Sequence, residues 1–467
     1  MSSGPPTPIR PLAEMPLPPT PAPQLLYQRG GSDAQLLIRG ARLFDPALEL
    51  DETTDVLVVD GVISAIGTDI KAPDDCEVVD GSGKTLFPAF VDPHVHLRTP
   101  GFTYKEDLES GTRAAAAGGF CQVIAMANTN PPVDSVAVLQ ALQRQAAEDA
   151  HIPVAFGATV TRGMRGAELS DMHALAKAGA AVFTDDGVPI ADAGVLRRAL
   201  RYQAVAGLVL ALHEEDHTLS AGGSMHEGVV SARLGIGGIP SISESAIIAR
   251  DALIAEYEGQ PIHMQHLSAR ESVQAVREAK LRGAPVTCEA SPHHLALTDA
   301  AVGDGSDACF KMNPPLRTED DRQALIEGLC DGTIDFIATD HAPHAGYEKD
   351  EPFEDAPFGV IGLETAFSVI YTDLVLTGDL ELALAVDRMI CGGEIFGLPR
   401  PRIAEGEPAN LCLVDLDATW VVGEAGWQSK SSNSCFQGRT LSAVVLMTIA
   451  GGQVAYRARS FAIQEVE

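Results

Sequence analysis

A chain of 467 residues with 45% hydrophobic side chains can bury a large core, which excludes global disorder. Its 33 basic and 64 acidic side chains leave a net charge of −31, a balance that repels nucleic-acid phosphates and anionic membrane surfaces. No apolar run is long enough to span a bilayer, and the eight cysteines are scattered without a C-x-x-C pair, the pattern of reduced thiols in a cytoplasmic protein.

Residues 1–34 read as a disordered tail, since the first 30 hold nine prolines and no apolar stretch of the signal-peptide type. This proline-rich arm is a candidate contact for a partner. From 35 to 88 come short β-type runs broken by Gly and Asp turns, LLIRGARLFD, DVLVVDGVISAIG and CEVVDGSGKTLFP. The same style returns from 403 to 464 in ANLCLVDLD, ATWVV and LSAVVLMTIAGGQVAYRA. Each flank is small for an independent core, so the two are predicted to combine into one β-sandwich.

Between the flanks, over 89–402, short apolar runs alternate with Ala- and Leu-rich helical stretches. Eight strands are predicted: 86–92, 121–127, 153–160, 181–186, 208–213, 261–267, 285–291 and 335–340. Runs that are apolar throughout belong to parallel strands covered on both faces, and eight such units in succession predict a (β/α)8 TIM-type barrel. An open doubly wound sheet is disfavoured, because no Gly-rich fingerprint follows the first strand.

Metal-competent side chains stand at the carboxyl ends of these strands, where barrel enzymes place their chemistry. The first ends FVDPHVHLR. Strand alternation points His94 and His96 the same way, and Arg98 follows them if the chain stays extended. The fourth ends in Asp185 and Asp186, the fifth in His213, the sixth in His266 and the eighth in Asp340. Taken singly, each has an ordinary role as a helix cap, a turn residue or a satisfied histidine. Gathered at one barrel mouth they would be costly without divalent cations to justify them.

These motifs resemble the class I bacterial dihydroorotases of the amidohydrolase superfamily. The similarity runs from about residue 35 to the C-terminus through FVDPHVHLRTPG, AMANTNPP, FTDDGVPI, HEGVVSARLGIGGIPSISES, SPHHLALTD, FKMNPPLR, DGTIDFIATDHAPH and APFGVIGLETAF. It implies a zinc-dependent enzyme that opens the cyclic amide of dihydroorotate to carbamoyl-aspartate, reversibly, in pyrimidine biosynthesis. Two Zn2+ are implied, one held by His94, His96 and Asp340, the other by His213 and His266. Asp186 would bridge them where many relatives use a carboxylated lysine. Strand alternation alone does not choose between Asp185 and Asp186. A hydroxide nucleophile and Asp340 as general base and acid complete the implied chemistry. Arg98, Asn128 and His344 are assigned by resemblance to the substrate carboxylate, Asn313 to the ring amide, and Phe358 and Gly359 to backbone contacts; His96 also borders the substrate.

The sequence departs from the family pattern at Thr99 and Ala127, where Glu and Pro are usual, which bears on loop geometry. His293 and His294 follow strand seven and read as structural or supporting groups, whereas Glu214 and Glu215 read as a turn more than as orienting partners. Residues 346–359 read as either a mobile lid or a solvated acidic loop. Two rivals stand beside dihydroorotase: a hydantoinase or allantoinase, against which Arg98 and the TDDG sequence argue, and an inactive scaffold of aspartate transcarbamoylase, against which the complete ligand set argues. The resemblance leaves open a homodimer and an active complex with that transcarbamoylase.

Overall fold

The computed structural model describes residues 24–461. Eight parallel strands follow one another around a barrel in chain order: Phe90–Val95, Phe120–Ala125, Val154–Ala158, Val182–Thr184, Leu210–Leu212, Ile262–Met264, Val286–Ala290 and Phe336–Ile337. The circle closes where Val95 bridges His341 and the His96 N–H donates to the His341 carbonyl at 2.9 Å. Every residue of these strands is buried, as expected for strands filled from inside and covered by helices outside. The covering helices include Leu108–Ala117, Val136–Asp149, Ala193–Ala206, Ile242–Glu258, Arg270–Arg282 and Glu319–Asp331. Local chemistry starts them: the Asp107 carboxylate accepts from the Ser110 N–H at 2.8 Å, and Asp192 accepts from the Val195 N–H at 2.9 Å.

The two chain flanks do join, through continuous hydrogen bonding in one eight-stranded sheet. Thr85–Pro88 from the N-terminal flank pairs antiparallel with Leu411–Val421 from the C-terminal one. The predicted first barrel strand, 86–92, is therefore two strands. Pro88 ends the first, the Ala89 N–H donates to Asn410, and the chain crosses into the barrel at Phe90, whose N–H donates to Gly119. Phe87 of the flank sheet and Phe90 of the barrel both pack on Phe367, with ring centroids 5.5 and 4.9 Å away. Gly118 and Gly119 permit the close approach. A Cβ on Gly118 would stand 2.1 Å from the Leu363 carbonyl, and one on Gly119 would meet the Cys412 sulfur at 2.7 Å.

The segment read as a tail begins to fold earlier than 35. Tyr27 exchanges backbone hydrogen bonds of 2.9 Å with Val154, and the Arg29 N–H reaches Ala150. Most of the proline-rich arm, residues 1–23, lies outside the described residues. None of the eight cysteines is paired and five are buried. Among the described residues no helix is long and apolar enough to cross a membrane.

Candidate active site

At the carboxyl ends of the strands the cluster expected from the sequence assembles around one carboxylate. Asp186 Oδ1 lies 3.5 Å from His94 Nε2, 3.4 Å from His266 Nε2 and 3.9 Å from His213 Nδ1, while its Oδ2 lies 3.2 Å from His96 Nε2. Asp340 Oδ1 stands 3.0 Å from His96 Nε2 and 3.5 Å from His94 Nε2. Burial pushes the Asp186 carboxyl up, but His94 and His266 outweigh it and hold it well below the usual range. The neighbouring Asp185 turns away, as strand alternation requires. Its carboxylate accepts from the Val160 N–H at 2.8 Å, from the Thr161 N–H and from the Thr161 hydroxyl, tying the third strand end to the fourth.

Three site residues sit in left-handed backbone conformations: Arg98 at φ 55°, His266 at 35° and Asp340 at 49°. Such strain costs on the order of 1–3 kcal/mol per residue and concentrates at functional sites. For Arg98 it replaces the extended continuation expected from the first strand. The chain turns there, and Gly101 seals the turn at φ 93°, a position where a Cβ would stand 2.2 Å from the Asn130 carbonyl.

A cavity of about 230 Å3 lies above the cluster, and eleven of the twelve residues expected at the site line it; His94 lies beneath its floor. The Arg98 guanidinium is braced by its Nε, which donates to the Pro343 carbonyl at 3.1 Å. Burial, together with Arg98 and Lys105, keeps His344 far below its usual pKa and therefore neutral. Its Nε2–H donates to the Phe358 carbonyl at 2.8 Å, and its Nδ1 accepts from Lys105 at 3.2 Å. Asn128 is engaged with the cluster: its oxygen accepts from His96 Nδ1 at 2.9 Å and its amide donates to the Asp186 carbonyl at 3.2 Å. Gly359 directs its N–H to Lys311.

Supporting groups surround the cluster, and one of them, Glu289, was not legible as such in the sequence. Glu289 stands 2.5 Å from His94 Nδ1 and 3.1 Å from His263 Nε2; a charged residue inside the apolar run PVTCEAS was the available signal. Glu215, which read as a turn residue, accepts from His213 Nε2 at 3.0 Å and from the Asn313 amide at 2.8 Å. His293 and His294 are buried beside each other, and His294 Nε2 donates to the Pro314 carbonyl at 2.9 Å. Residues 346–359 leave Asp350, Glu351, Glu354 and Asp355 exposed, as a solvated acidic loop would, but are pinned from within. The buried Lys349 ammonium donates to the carbonyls of Ala308, Lys311 and Pro357 at 2.8–3.1 Å, and Phe353 and Ala356 are buried.

The donor set fits a pair of cations. Asp186 Oδ1 is buried without a hydrogen-bond partner, although three ring nitrogens surround it. Two donors each about 2.1 Å from a tetrahedral ion stand roughly 3.4 Å apart, which is the spacing of these contacts. Two overlapping triads, His94–His96–Asp186 and Asp186–His213–His266, each gather one ligand atom per residue within 4.8 Å.

Comparison with known proteins agrees with this geometry. Residues 83–272 match the family described as dihydro-orotase-like. A dihydroorotase of Pelotomaculum thermopropionicum is 45% identical over 91% of this chain and 99% of its own length. One from Halalkalibacterium halodurans is 46% identical over 88% of this chain and 96% of its own. Among solved structures, the L-hydantoinase (dihydropyrimidinase) of Arthrobacter aurescens superposes with a TM-score of 0.80 at 25% identity, covering 90% of this chain and 96% of that one. A barrel with these donors at its mouth and full-length kinship at this identity have one reading: the chain belongs to the dihydroorotase family of the amidohydrolase superfamily and is a cyclic amidohydrolase.

Proposed function

We propose that the chain hydrolyses the ring amide of dihydroorotate to carbamoyl-aspartate and catalyses the reverse closure, a step of pyrimidine biosynthesis. The donors suit a pair of zinc ions: His94, His96 and Asp340 would hold one, His213 and His266 the other, and Asp186, within reach of all four histidines, would serve both. Imidazole and carboxylate donors in tetrahedral spacing suit zinc. When bound, the pair supplies Lewis acidity, lowering the pKa of water and polarising the scissile carbonyl.

The chain's own groups do the rest. Asp340 faces both the cluster and the cavity, so its carboxylate takes the proton of the attacking water and returns it to the ring nitrogen as the C–N bond breaks. Arg98 presents its guanidinium to the same cavity, with Nε donating to Pro343 and Nη2 lying 3.4 Å from His344 Nε2, and the guanidinium is the cavity's candidate for taking the substrate carboxylate. Asn128 holds the His96 ring so that Nε2 faces the carboxylates. Asn313, whose amide donates to Glu215, lines the cavity where the substrate ring would lie.

The observation that carries this reading is a guanidinium in the same small cavity as the donor cluster. A neutral hydantoin has no carboxylate to occupy it. Charge-assisted hydrogen bonds contribute about 1.5–3 kcal/mol, so Arg98→Gln is expected to raise KM for dihydroorotate roughly 10–100-fold while zinc content stays at the wild-type level. Unchanged KM in that variant would remove Arg98 from the carboxylate site.

A further inference from the structure

Strand seven gives no donor to the cluster, yet its interior holds a carboxylate aimed at it. Glu289 lies within Val286–Ala290 and is 1% exposed. Its Oε1 is 2.5 Å from His94 Nδ1 and accepts from the His266 N–H at 3.2 Å; its Oε2 accepts from His263 Nε2 at 3.1 Å. His263 is itself fixed, with Nδ1 3.0 Å from Thr287 Oγ1 and its ring stacked on Phe336 at 4.9 Å. A buried carboxylate is expensive unless its partners repay the lost hydration, and here those partners include two residues of the donor cluster.

The tautomer follows from this contact. An imidazole whose Nδ1–H is donated to a carboxylate presents the lone pair of Nε2 on its far side. For His94 that side faces Asp186 Oδ1 and Asp340 Oδ1, each at 3.5 Å. The other tautomer would aim an N–H into the space a cation needs. The same Glu289 oxygen grips the backbone of His266, so one carboxylate sets the orientation of a donor in each half of the cluster.

We infer that Glu289 is a positioning residue for the metal pair, fixing the His94 tautomer and the His266 backbone, with His263 holding Glu289 in place. This rests on the reading that the cluster binds divalent metal. Groups of this kind typically contribute 10–100-fold to metal affinity.

The test is zinc affinity of the full chain, measured by competition with a chromophoric chelator for wild type, Glu289→Ala, Glu289→Gln and His263→Phe. Thermal unfolding of each metal-stripped protein is recorded in parallel. Glu289→Ala is expected to bind zinc about 10–100-fold more weakly. Glu289→Gln should fall between it and wild type, because its amide oxygen still accepts from His94 without the charge. His263→Phe, which keeps the stack on Phe336 but loses the N–H, should show a smaller loss in the same direction. If Glu289→Ala does not fold, the other two variants carry the test. Wild-type zinc affinity in the folded variants, whatever their melting temperature, overturns the role. A wild-type chain that takes up no zinc overturns it together with the metal reading, whereas zinc uptake without dihydroorotate turnover removes the substrate reading alone.

Discussion

Asp185 and Asp186 are chemically identical neighbours with opposite surroundings, and the difference is a matter of strand alternation. Asp185 faces the third strand end and accepts from backbone N–H groups and a hydroxyl; Asp186 faces the cluster with an oxygen that has no hydrogen-bond partner. Asp186→Ala is therefore expected to lose bound zinc and activity together. Asp185→Ala should keep zinc and lose stability, by about 1–3 kcal/mol for the unsatisfied donors it leaves. Metal analysis and denaturant unfolding of both variants check this, and Asp186→Ala retaining two zinc ions would defeat the bridging assignment. At this scale the sequence was informative about donors and poor about their supports. His94, His96, His213, His266 and Asp340 announced themselves by standing at strand ends. Glu289 did not, because its partners His94 and His263 come from other strands and no local pattern encodes such a contact; Glu215 stands two residues from its partner His213, but only its second contact, with the distant Asn313, distinguishes it from a turn residue.

At the scale of elements, the alternation of apolar runs and helical stretches was enough to name a barrel, since each unit needs only its neighbours. Boundaries were harder. The run 86–92 is continuous in hydropathy yet divides between two sheets, because Asn410 and Gly119, far away in sequence, take the N–H groups on either side of the division. The 346–359 segment looked polar enough to be loose, but Lys349 anchors it through backbone carbonyls that composition cannot show. Glu364 is a similar tie between elements, accepting from the Gln428 and Ser429 N–H groups at 3.0 and 3.1 Å. Burial raises its pKa from 4.5 to about 7 despite those bonds. Since the folded value lies above the unfolded one, the native state keeps a proton that the unfolded chain releases between these limits. The group's contribution to stability is full below pH 4.5 and fades as pH rises towards 7. Glu364→Gln should accordingly flatten the dependence of the urea midpoint on pH across that window. A wild-type slope in the variant would show that Glu364 does not titrate there.

For the molecule as a whole, the net charge of −31 argued against nucleic acid and membrane partners but was silent about a small anion. The cavity answers locally, with the Arg98 guanidinium beside a donor cluster suited to cations, in a chain that is acidic as a whole. At physiological salt, charges beyond about 8 Å are largely screened, so a carboxylate substrate entering the cavity meets the nearby guanidinium more than the distant acids. The hydantoinase-like architecture shows why fold alone does not choose the substrate; the contents of the cavity do. The most direct measurement is steady-state turnover of dihydroorotate beside unsubstituted hydantoin by the zinc-loaded full chain. Efficient hydrolysis of dihydroorotate, with hydantoin cleaved slowly or not at all, is the expected result. Cleavage of hydantoin with dihydroorotate left intact would contradict the account.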